Sequence, residues 1–176
     1  MKITSDIIET KRLIIKPLSF DELKKYNTSP GDLANELGLI PSQTLIDQET
    51  RDAITNDLLP NVADPNKDPL FYTMWIVIGK SEQAIVGGIC FHGEPDEKGE
   101  VELGYGTDDQ YRNRGIMTEA IAGMIQWISK NKKVTIIKAE TDPENISSVR
   151  VLEKNDFITD QHNDHSVILR LATQTK

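Results

Sequence analysis

Two arginines and a glycine lie close together at residues 112–115, in the sequence Arg112-Asn113-Arg114-Gly115. The residues on either side predict that this segment is a turn between a strand and a helix. Before it, apolar residues alternate with small or polar ones over 101–106, which is the period of a strand. After it, apolar residues recur at the spacing of one helix face: Met117, Ala120, Ile121, Met124, Ile125 and Ile128.

A turn of this composition has the chemistry of an anion site. The first turn of a helix has backbone N–H groups without partners and carries about half a positive charge. Gly115 lets a ligand approach the backbone closely, and Arg112 and Arg114 add fixed positive charge. These features predict a site for phosphate or pyrophosphate. The alternative is an ordinary polar connection between strand and helix that binds nothing.

Residues 112–117 resemble the acetyl-CoA signature of the GNAT superfamily of N-acetyltransferases, which is Gln or Arg, two residues, Gly, one residue, then Gly or Ala. Met117 departs from it at the last position, where its side chain either crowds the pyrophosphate or turns into the helix interface. The flanks at 102–105 and 118–120 are similar to the branch that includes the RimJ- and RimL-like ribosomal-protein N-terminal acetyltransferases. The resemblance implies that acetyl-CoA is bound by Tyr105, Gly106, Thr107, Arg112, Asn113, Arg114, Gly115, Ile116, Met117 and Thr118.

A second motif at residues 145–157 is similar to the superfamily's C-terminal helix motif, in which an Asn opens the helix and Glu-Lys-x-Gly-Phe closes it. By this resemblance Asn145 contacts the pantetheine or another arm of acetyl-CoA. It is also a natural helix cap, and the two roles are compatible. Asp156 replaces the usual Gly, so we expect backbone strain here unless Asn155 adopts the left-handed conformation.

The reaction that the resemblance implies is direct acetyl transfer from acetyl-CoA to an amine, which must first lose its proton to a general base. Glu102 stands where the superfamily often places a carboxylate, and Glu140 is the second candidate. The departing thiolate needs a proton. Leu152 occupies the place where many members have a Tyr, and Ser148 matches a Ser that the ribosomal-protein-acetylating relatives are thought to use. The alternatives are an exposed strand glutamate and a solvent-facing helix serine.

Two further sets of polar groups are the backbone of residues 105–107 and the three histidines. By resemblance, backbone N–H groups near residues 105–107 hold the oxyanion of the tetrahedral intermediate. His92, His162 and His165 lack a mutual spacing that suggests a metal site, so no metal is predicted and no role is assigned to them.

Length and composition limit the class of protein. A chain of 176 residues suggests a single domain over 1–176. The net charge of −8 argues against nucleic-acid binding and is compatible with a cationic amine substrate. The single Cys90 excludes an internal disulfide framework and fits a reducing compartment. No apolar run is long enough to span a membrane, and residues 1–6 lack a signal-peptide core, so we expect a cytoplasmic protein.

The resemblance implies an α/β (α+β) GNAT fold. Its central sheet is mixed, mostly antiparallel and twisted, has about six to seven strands flanked by helices, and is splayed at the acetyl-CoA site. The sequence patterns predict strands at 12–18, 70–79, 84–92, 101–106, 134–140, 157–158 and 166–171. The strands from 70 to 106 should form an antiparallel meander, in which Gly87-Gly88 marks a bulge or a close backbone approach. The strand, helix and strand that follow imply a right-handed β–α–β crossover.

The same patterns predict helices after Ser19, over 30–38, from Pro41-Ser42 with a stripe running from Leu45 to Pro60, from Met117, and over 145–155. Ser19 and Glu22 have the spacing of a capping box, and Gly38 is expected just past the end of the second helix.

Two classes of function follow. The first is an acetyl-CoA-dependent N-acetyltransferase whose acceptor is a protein N-terminus or a small amine such as a polyamine, an amino acid or an aminoglycoside. The second is a non-catalytic acyl-CoA-binding or regulatory module on the same fold. The absence of the Tyr and the presence of Met117 favour this alternative. An ATP site is disfavoured because there is no Walker lysine and no Gly-x-Gly-x-x-Gly. The expected assembly is a monomer or a homodimer, without nucleic acid or membrane.

Overall fold

The computed structural model describes residues 6–41 and 46–173. Within these residues, eight strands form one sheet in the order β1-β2-β3-β4-β5-β6-β8-β7. The strands are β1 Ile8–Glu9, β2 Leu13–Pro17, β3 Met74–Gly79, β4 Ala84–Phe91, β5 Glu100–Thr107, β6 Ile136–Thr141, β7 Ile158–His162 and β8 Val167–Ala172. The helices are α1 Phe20–Thr28, α2 Pro30–Glu36, α3 Gln48–Ala53, α4 Leu59–Ala63, α5 Ile116–Ile128 and α6 Ile146–Glu153. A π-helical turn spans Ile54–Leu58, and 3₁₀ turns span Pro69–Phe71 and Asp109–Tyr111.

The sheet is mixed and mostly antiparallel, as expected. β5 and β6 run parallel, and α5 lies between them in the chain, which confirms the predicted β–α–β unit. β3, β4 and β5 form the expected antiparallel meander. The strand that was not expected is β1, whose two residues pair with β2 at one edge of the sheet.

The helices cover both faces of the sheet because successive strand residues point to opposite sides. In β3, Trp75 and Val77 join the core beneath α5 and α6, whereas Ile76 and Ile78 join the core that α1, α2 and the π-helical turn cover. The helix stripe predicted after residue 115 faces the first of these cores, and its buried members are Met117, Ala120, Ile121, Met124 and Ile128.

The ends of the first two helices have the predicted chemistry. Glu22 N–H donates to Ser19 Oγ at 3.3 Å, and the Glu22 carboxylate accepts from Ser19 N–H at 2.8 Å, which is a complete capping box. Pro30 begins α2, and Gly38 follows its end with a φ of 70°, in the left-handed region that favours glycine.

The prediction for residues 41–60 was partly wrong. Ser42 and Leu45 lie outside the described residues, and the described helix begins at Gln48 with Asp47 as its cap. Pro60 does not end the helical segment, which continues to Ala63. Proline lacks the N–H that an α-helix interior requires, but the chain widens into the π-helical turn just before it, and Pro60 then sits in the first turn of α4.

The strand predicted over 70–79 is shorter than expected. Residues 69–71 form a 3₁₀ turn whose first N–H groups are capped by Asp68, and β3 begins only at Met74. The turn is held to β3 by a hydrogen bond from Trp75 Nε1 to the Leu70 carbonyl at 3.0 Å. The aromatic and apolar residues that suggested a strand are therefore used to pack a turn against the core.

The turn after α6 resolves the question of Asp156. Asp156 itself adopts the left-handed conformation, with φ of 64°. Asn155 does not, because its buried side-chain amide donates to the carbonyls of Val151 at 2.9 Å and Thr118 at 3.2 Å. This pair of bonds ties the end of α6 to the first turn of α5.

Candidate active site

The sheet opens between β5 and β6. These strands pair only from Glu100 to Glu102, after which β5 stays with β4 while β6 stays with β8. The Glu102 carbonyl accepts from His92 N–H, just after β4, and Asp108 N–H donates to the Val86 carbonyl of β4. Backbone direction alternates along an antiparallel ladder, so Tyr105 and Thr107 direct their backbone groups into the opening. The sheet is therefore splayed where the resemblance placed the oxyanion site.

A cleft of about 600 Å³ extends from this opening to the start of α5 and along α6; we call it the turn cleft. It is lined by all but one of the residues expected to bind acetyl-CoA: Tyr105, Gly106, Thr107, Arg112, Asn113, Gly115, Ile116, Met117, Thr118 and Asn145. Gly106 leaves it open, since a Cβ there would meet no atom within 4 Å. Unpaired backbone N–H groups, a helix N-terminus and basic side chains together suit the pantetheine and phosphates of coenzyme A.

The turn at the start of α5 is held from behind by Arg12. Gly115 is the helix N-cap with φ of 69°, and Asn113 also has a positive φ, of 60°. The Arg12 guanidinium donates to the carbonyls of Arg114 at 2.9 Å and Gly115 at 3.1 Å, and to Glu119 at 2.6 Å. These bonds fix the turn, and the first N–H groups of α5 have no i−4 carbonyl within the helix to which they can donate.

The two arginines of the signature take different positions. Arg112 lines the turn cleft, pairs with Asp109 at 2.7 Å and donates to the Thr107 carbonyl at 3.4 Å. Arg114 is the expected residue that does not line the turn cleft, because its guanidinium lies over the Tyr111 ring at 5.6 Å from the centroid. The signature residues are thus brought together except for this one side chain.

Met117 packs mainly into the helix interface, although it also forms part of the wall of the turn cleft. Its side chain is almost fully buried, and its Cε lies 3.1 Å from the position of a Cβ on Gly87. Gly87 and Gly88 sit at the bulge that the sequence suggested, where the β3–β4 register shifts and a Cβ on Gly87 would come within 2.6 Å of the Gly106 carbonyl. The larger residue at the end of the signature therefore fills space that these glycines leave.

Two basic residues of the turn cleft were missed by the sequence reasoning. Arg150 and Lys154 project from α6 into the turn cleft, together with Ser147 and Val151. Their spacing of four residues places them on one helix face. This spacing was the signal available in the sequence.

The N-terminal end of α6 brings Ser148 to the opening. Asn145 caps the helix, accepting from Ser148 N–H at 3.1 Å. The Tyr105 hydroxyl donates to the Ser148 carbonyl at 3.1 Å and lies 2.7 Å from Ser148 Oγ. Burial raises the pKa of Tyr105, although the hydrogen bond to Ser148 partly offsets this. A phenol from β5 thus reaches the helix on which many superfamily members carry their own Tyr, while Leu152 is fully buried.

A second cavity, of about 780 Å³, lies on the other face of the sheet beneath the helices before β3; we call it the helix cavity. It shares Tyr105 and Gly106 with the turn cleft. Its described lining includes four carboxylates and no lysine or arginine; the carboxylates belong to Asp47, Glu49, Asp57 and Asp108. Cys90 also lines it, and burial raises the pKa of this thiol to about 11, so it stays protonated at neutral pH.

Glu102 is ion-paired and lines neither cavity among the described residues. One oxygen lies 2.8 Å from Lys138 Nζ and the other 3.1 Å from His92 Nδ1. Burial alone would raise the pKa of this carboxyl, but hydrogen bonds and charge from Lys138 and His92 lower it below its usual value. Glu140 is 3.8 Å from the same Lys138 nitrogen. His92, to which the sequence assigned no role, lines the helix cavity.

Comparison with known proteins identifies the class of protein that this fold and these two cavities define. A family model described as an acetyltransferase (GNAT) domain matches residues 12–158. The N-acetyltransferase YjdG of Bacillus subtilis, described as uncharacterized, is 28% identical over 152 residues, which cover 86% of this chain and 89% of that protein. The chain therefore belongs to the GNAT acetyltransferase family.

Solved structures show the same fold at low identity. A putative ribosomal-protein-serine acetyltransferase from Vibrio cholerae is 20% identical, with a TM-score of 0.66, covering 98% of this chain and 99% of that one. RimL, a ribosomal L7/L12 α-N-protein acetyltransferase solved in complex with coenzyme A, is 14% identical, with a TM-score of 0.65 over 95% and 98% of the two chains. Within residues 6–41 and 46–173, no helix is long and apolar enough to cross a bilayer.

Proposed function

We propose that the protein transfers the acetyl group of acetyl-CoA directly to a primary amine. The observation that carries this proposal is the meeting of two cavities at Tyr105 and Gly106, one suited to coenzyme A and one lined with carboxylates. Acetyl-CoA, when bound, supplies an activated thioester. A chain that holds the thioester in the turn cleft and an amine in the helix cavity brings the reacting groups together at the opening of the sheet.

Acetyl-CoA would be held by main chain and by charge. The first turn of α5 offers N–H groups to the pyrophosphate, with Arg112, Arg150 and Lys154 adding positive charge around the turn cleft. Asn145 and Thr118 line the same cleft along the expected path of the pantetheine. Backbone N–H groups of β5 at Tyr105 and Thr107 face the opening, where they can stabilise an oxyanion.

The acceptor would enter as an ammonium cation. Carboxylates in the described wall of the helix cavity attract a cation and disfavour an anionic substrate. Both a protein N-terminus and a small amine satisfy this requirement, and RimL, which has the same fold, is a ribosomal L7/L12 α-N-protein acetyltransferase. We assign the reaction to the cytoplasm, because the single cysteine is a free thiol.

Glu102 and Ser148 would serve the two proton transfers. Glu102 belongs to the machinery that removes the amine proton, and Ser148 to the machinery that protonates the departing thiolate. The contact between Ser148 Oγ and the Tyr105 hydroxyl at 2.7 Å supports the second role, because the phenol can replace the proton that the serine gives up.

Gly106 offers a sharp test of this proposal. The Gly106→Leu side chain would enter the junction of the two cavities, and the open space at this position makes misfolding an unlikely cost of the change. We expect the wild-type protein to bind acetyl-CoA in calorimetric titration and to release coenzyme A with an amine in a panel of polyamines, amino acids, aminoglycosides and peptide N-termini. Gly106→Leu should bind acetyl-CoA weakly and transfer nothing.

The control is Thr159→Leu, at an exposed position of the edge strand β7 outside both cavities. It adds an equally large apolar group and should behave as wild type. Saturable binding of acetyl-CoA without transfer to any amine would instead support the non-catalytic acyl-CoA-binding module. Absence of binding at millimolar acetyl-CoA would overturn the proposal.

A further inference from the structure

His92 is held opposite Glu102 by the pairing of their strands. It directly follows β4, and its backbone N–H donates to the Glu102 carbonyl at 3.0 Å. The same pairing places His92 Nδ1 3.1 Å from a Glu102 carboxylate oxygen. The second oxygen of Glu102 accepts from Lys138 at 2.8 Å. Both carboxylate oxygens are therefore engaged, one by a lysine and one by the imidazole.

The other imidazole nitrogen faces the helix cavity. His92 is among the residues that line this cavity, along with Gly104, Tyr105 and Gly106. A Cβ on Gly104, which also lines the cavity, would approach His92 Nε2 to 2.9 Å, so this nitrogen occupies space that is available only because residue 104 has no side chain. Nε2 is thus placed in the cavity that continues to the junction with the turn cleft.

We propose that His92 is the catalytic general base for the acceptor amine and that Glu102 is its positioning residue. This assignment rests on the proposed function. Glu102 lines neither cavity and is bonded to two cations or donors, so a proton would reach it only through another group. No hydrogen bond engages His92 Nε2 within the described residues, and 55% of the His92 side chain is accessible, as a general base requires.

Glu102 determines which imidazole nitrogen carries the proton. A neutral histidine has one N–H donor and one acceptor, and the bond made by one nitrogen sets the state of the other. With Nδ1–H donated to Glu102, the lone pair resides on Nε2. The carboxylate also stabilises the imidazolium that forms when Nε2 accepts a proton, as in a catalytic triad.

The proton balance of the transfer is then complete. His92 Nε2 accepts one proton from the incoming ammonium, and the freed nitrogen lone pair forms the C–N bond at the thioester carbonyl. The C–S bond breaks, and the sulfur leaves as a thiolate that takes a proton from the Ser148–Tyr105 pair. The second amine proton restores that pair through solvent, and the imidazolium returns its proton to solvent. One ammonium and one thioester thus yield one amide, one thiol and one proton.

The groups around His92 come from three strands, from the π-helical turn and from α3. Glu102 on β5 and Lys138 on β6 form the ion pair behind it, and Cys90 lies on its own strand. Asp57 of the π-helical turn lines the same cavity, as do Asp47 and Glu49 near α3. These carboxylates would hold the acceptor as a cation, so a nearby proton acceptor is needed before the nitrogen can react.

The first test is independent of turnover. Imidazole nitrogen NMR of the purified protein reports the tautomer of each of its three histidines, and His92→Ala identifies the signals of residue 92. In its neutral form, His92 should carry its proton on Nδ1 in the wild type. In Glu102→Ala it should shift toward the Nε2–H form, whereas Glu100→Ala, which breaks the neighbouring ion pair with Arg170, should leave it unchanged. A wild-type His92 protonated on Nε2 would overturn the assignment.

The second test is kinetic. His92→Ala should lower kcat by about 10²–10⁴-fold, the usual contribution of a general base, with unchanged affinity for acetyl-CoA. The acid limb of the kcat/KM profile should disappear, and added imidazole should restore part of the rate. Glu102→Ala should lose less. His162→Ala, an exposed histidine of β7, should keep wild-type kinetics. Wild-type turnover by His92→Ala would overturn this assignment alone, whereas absence of transfer by the wild type would overturn the proposed function.

Discussion

The turn cleft and the helix cavity are built from different parts of the chain. The turn cleft depends on main chain: the left-handed Gly115, the bare Gly106 and the backbone groups of β5 at the opening. The helix cavity depends on side chains, with apolar residues and carboxylates from the segments before β3 on one wall and strand residues on the other. A cofactor that a whole family shares is suited to a site built from main chain, whereas recognition of a particular acceptor is suited to a site built from side chains.

This difference explains why the turn cleft could be recognised from the sequence and the helix cavity could not. A backbone conformation with positive φ, or a close approach of two strands, restricts the residue type to glycine or to a few others. Carboxylates and apolar side chains around a cavity can be exchanged for many others without loss of the fold. The comparison therefore predicts that changes in the two sites affect different kinetic constants.

The largest effect is expected in the helix cavity. The double variant Glu49→Gln/Asp57→Asn removes two of its carboxylates without changing side-chain size. We expect KM for a cationic amine to rise by about tenfold or more, because each 1.4 kcal/mol of lost attraction corresponds to about a factor of ten. Steady-state kinetics at saturating acetyl-CoA measures this change. The calorimetric Kd of acetyl-CoA should not move, and an unchanged KM would refute charge recognition of the acceptor.

A smaller effect is expected from the basic residues of α6. Arg150→Ala/Lys154→Ala should raise the Kd of acetyl-CoA by roughly threefold to tenfold, since exposed charge contacts contribute about 0.2–1 kcal/mol each. The loss should shrink at high salt. Lys130→Ala/Lys132→Ala removes the same net charge from exposed positions after α5, outside both cavities, and serves as the matched control. Equal losses in both double variants would mean that only the overall charge of the protein matters.

Much of the fold followed from periodicity and from turn residues. The α5 stripe, the capping box at Ser19 and the glycine after α2 were all predicted, because each reflects local physics. The errors arose where tertiary packing decided the outcome. Leu70 and Phe71 have strand-like character but pack as a 3₁₀ turn. Pro60 is accommodated by a π-helical turn that no local sequence pattern predicts.

The side of the site to which we assign the proton transfer from the amine depended on strand register. Glu102 was identified from its motif, but its partners His92 and Lys138 became visible only from the pairing of β5 with β4 and with β6. This register is not evident from the sequence of the loop at 93–99. The turn geometry of the loop is set by Gly93 and Gly99, both with positive φ. Residues that act as a pair across strands are therefore harder to predict than residues within one turn.

The smallest expected effect concerns the support of the turn cleft by Glu119. This carboxylate accepts from Thr10 Oγ1 at 2.6 Å, from Arg12 N–H at 2.8 Å and from Arg12 Nε at 2.6 Å. Burial alone would raise its pKa, but these bonds lower it below the usual value of 4.5. A carboxyl with a lowered folded-state pKa stabilises the protein at pH values above its unfolded pKa, and this stabilisation is lost as the pH falls through the folded pKa.

Glu119→Gln should therefore lower the free energy of unfolding by about 1 kcal/mol or less at pH 7, because Arg12 is half exposed and solvent screens the pair. Urea unfolding at pH 7 and at pH 3 measures the effect, and the difference from wild type should nearly vanish at pH 3. Glu153→Gln, at the exposed end of α6, provides the control. A deficit of equal size at both pH values would show that Glu119 acts through packing and neutral hydrogen bonds. A deficit confined to pH 7, accompanied by weaker acetyl-CoA binding, would show that its charge holds Arg12 against the turn.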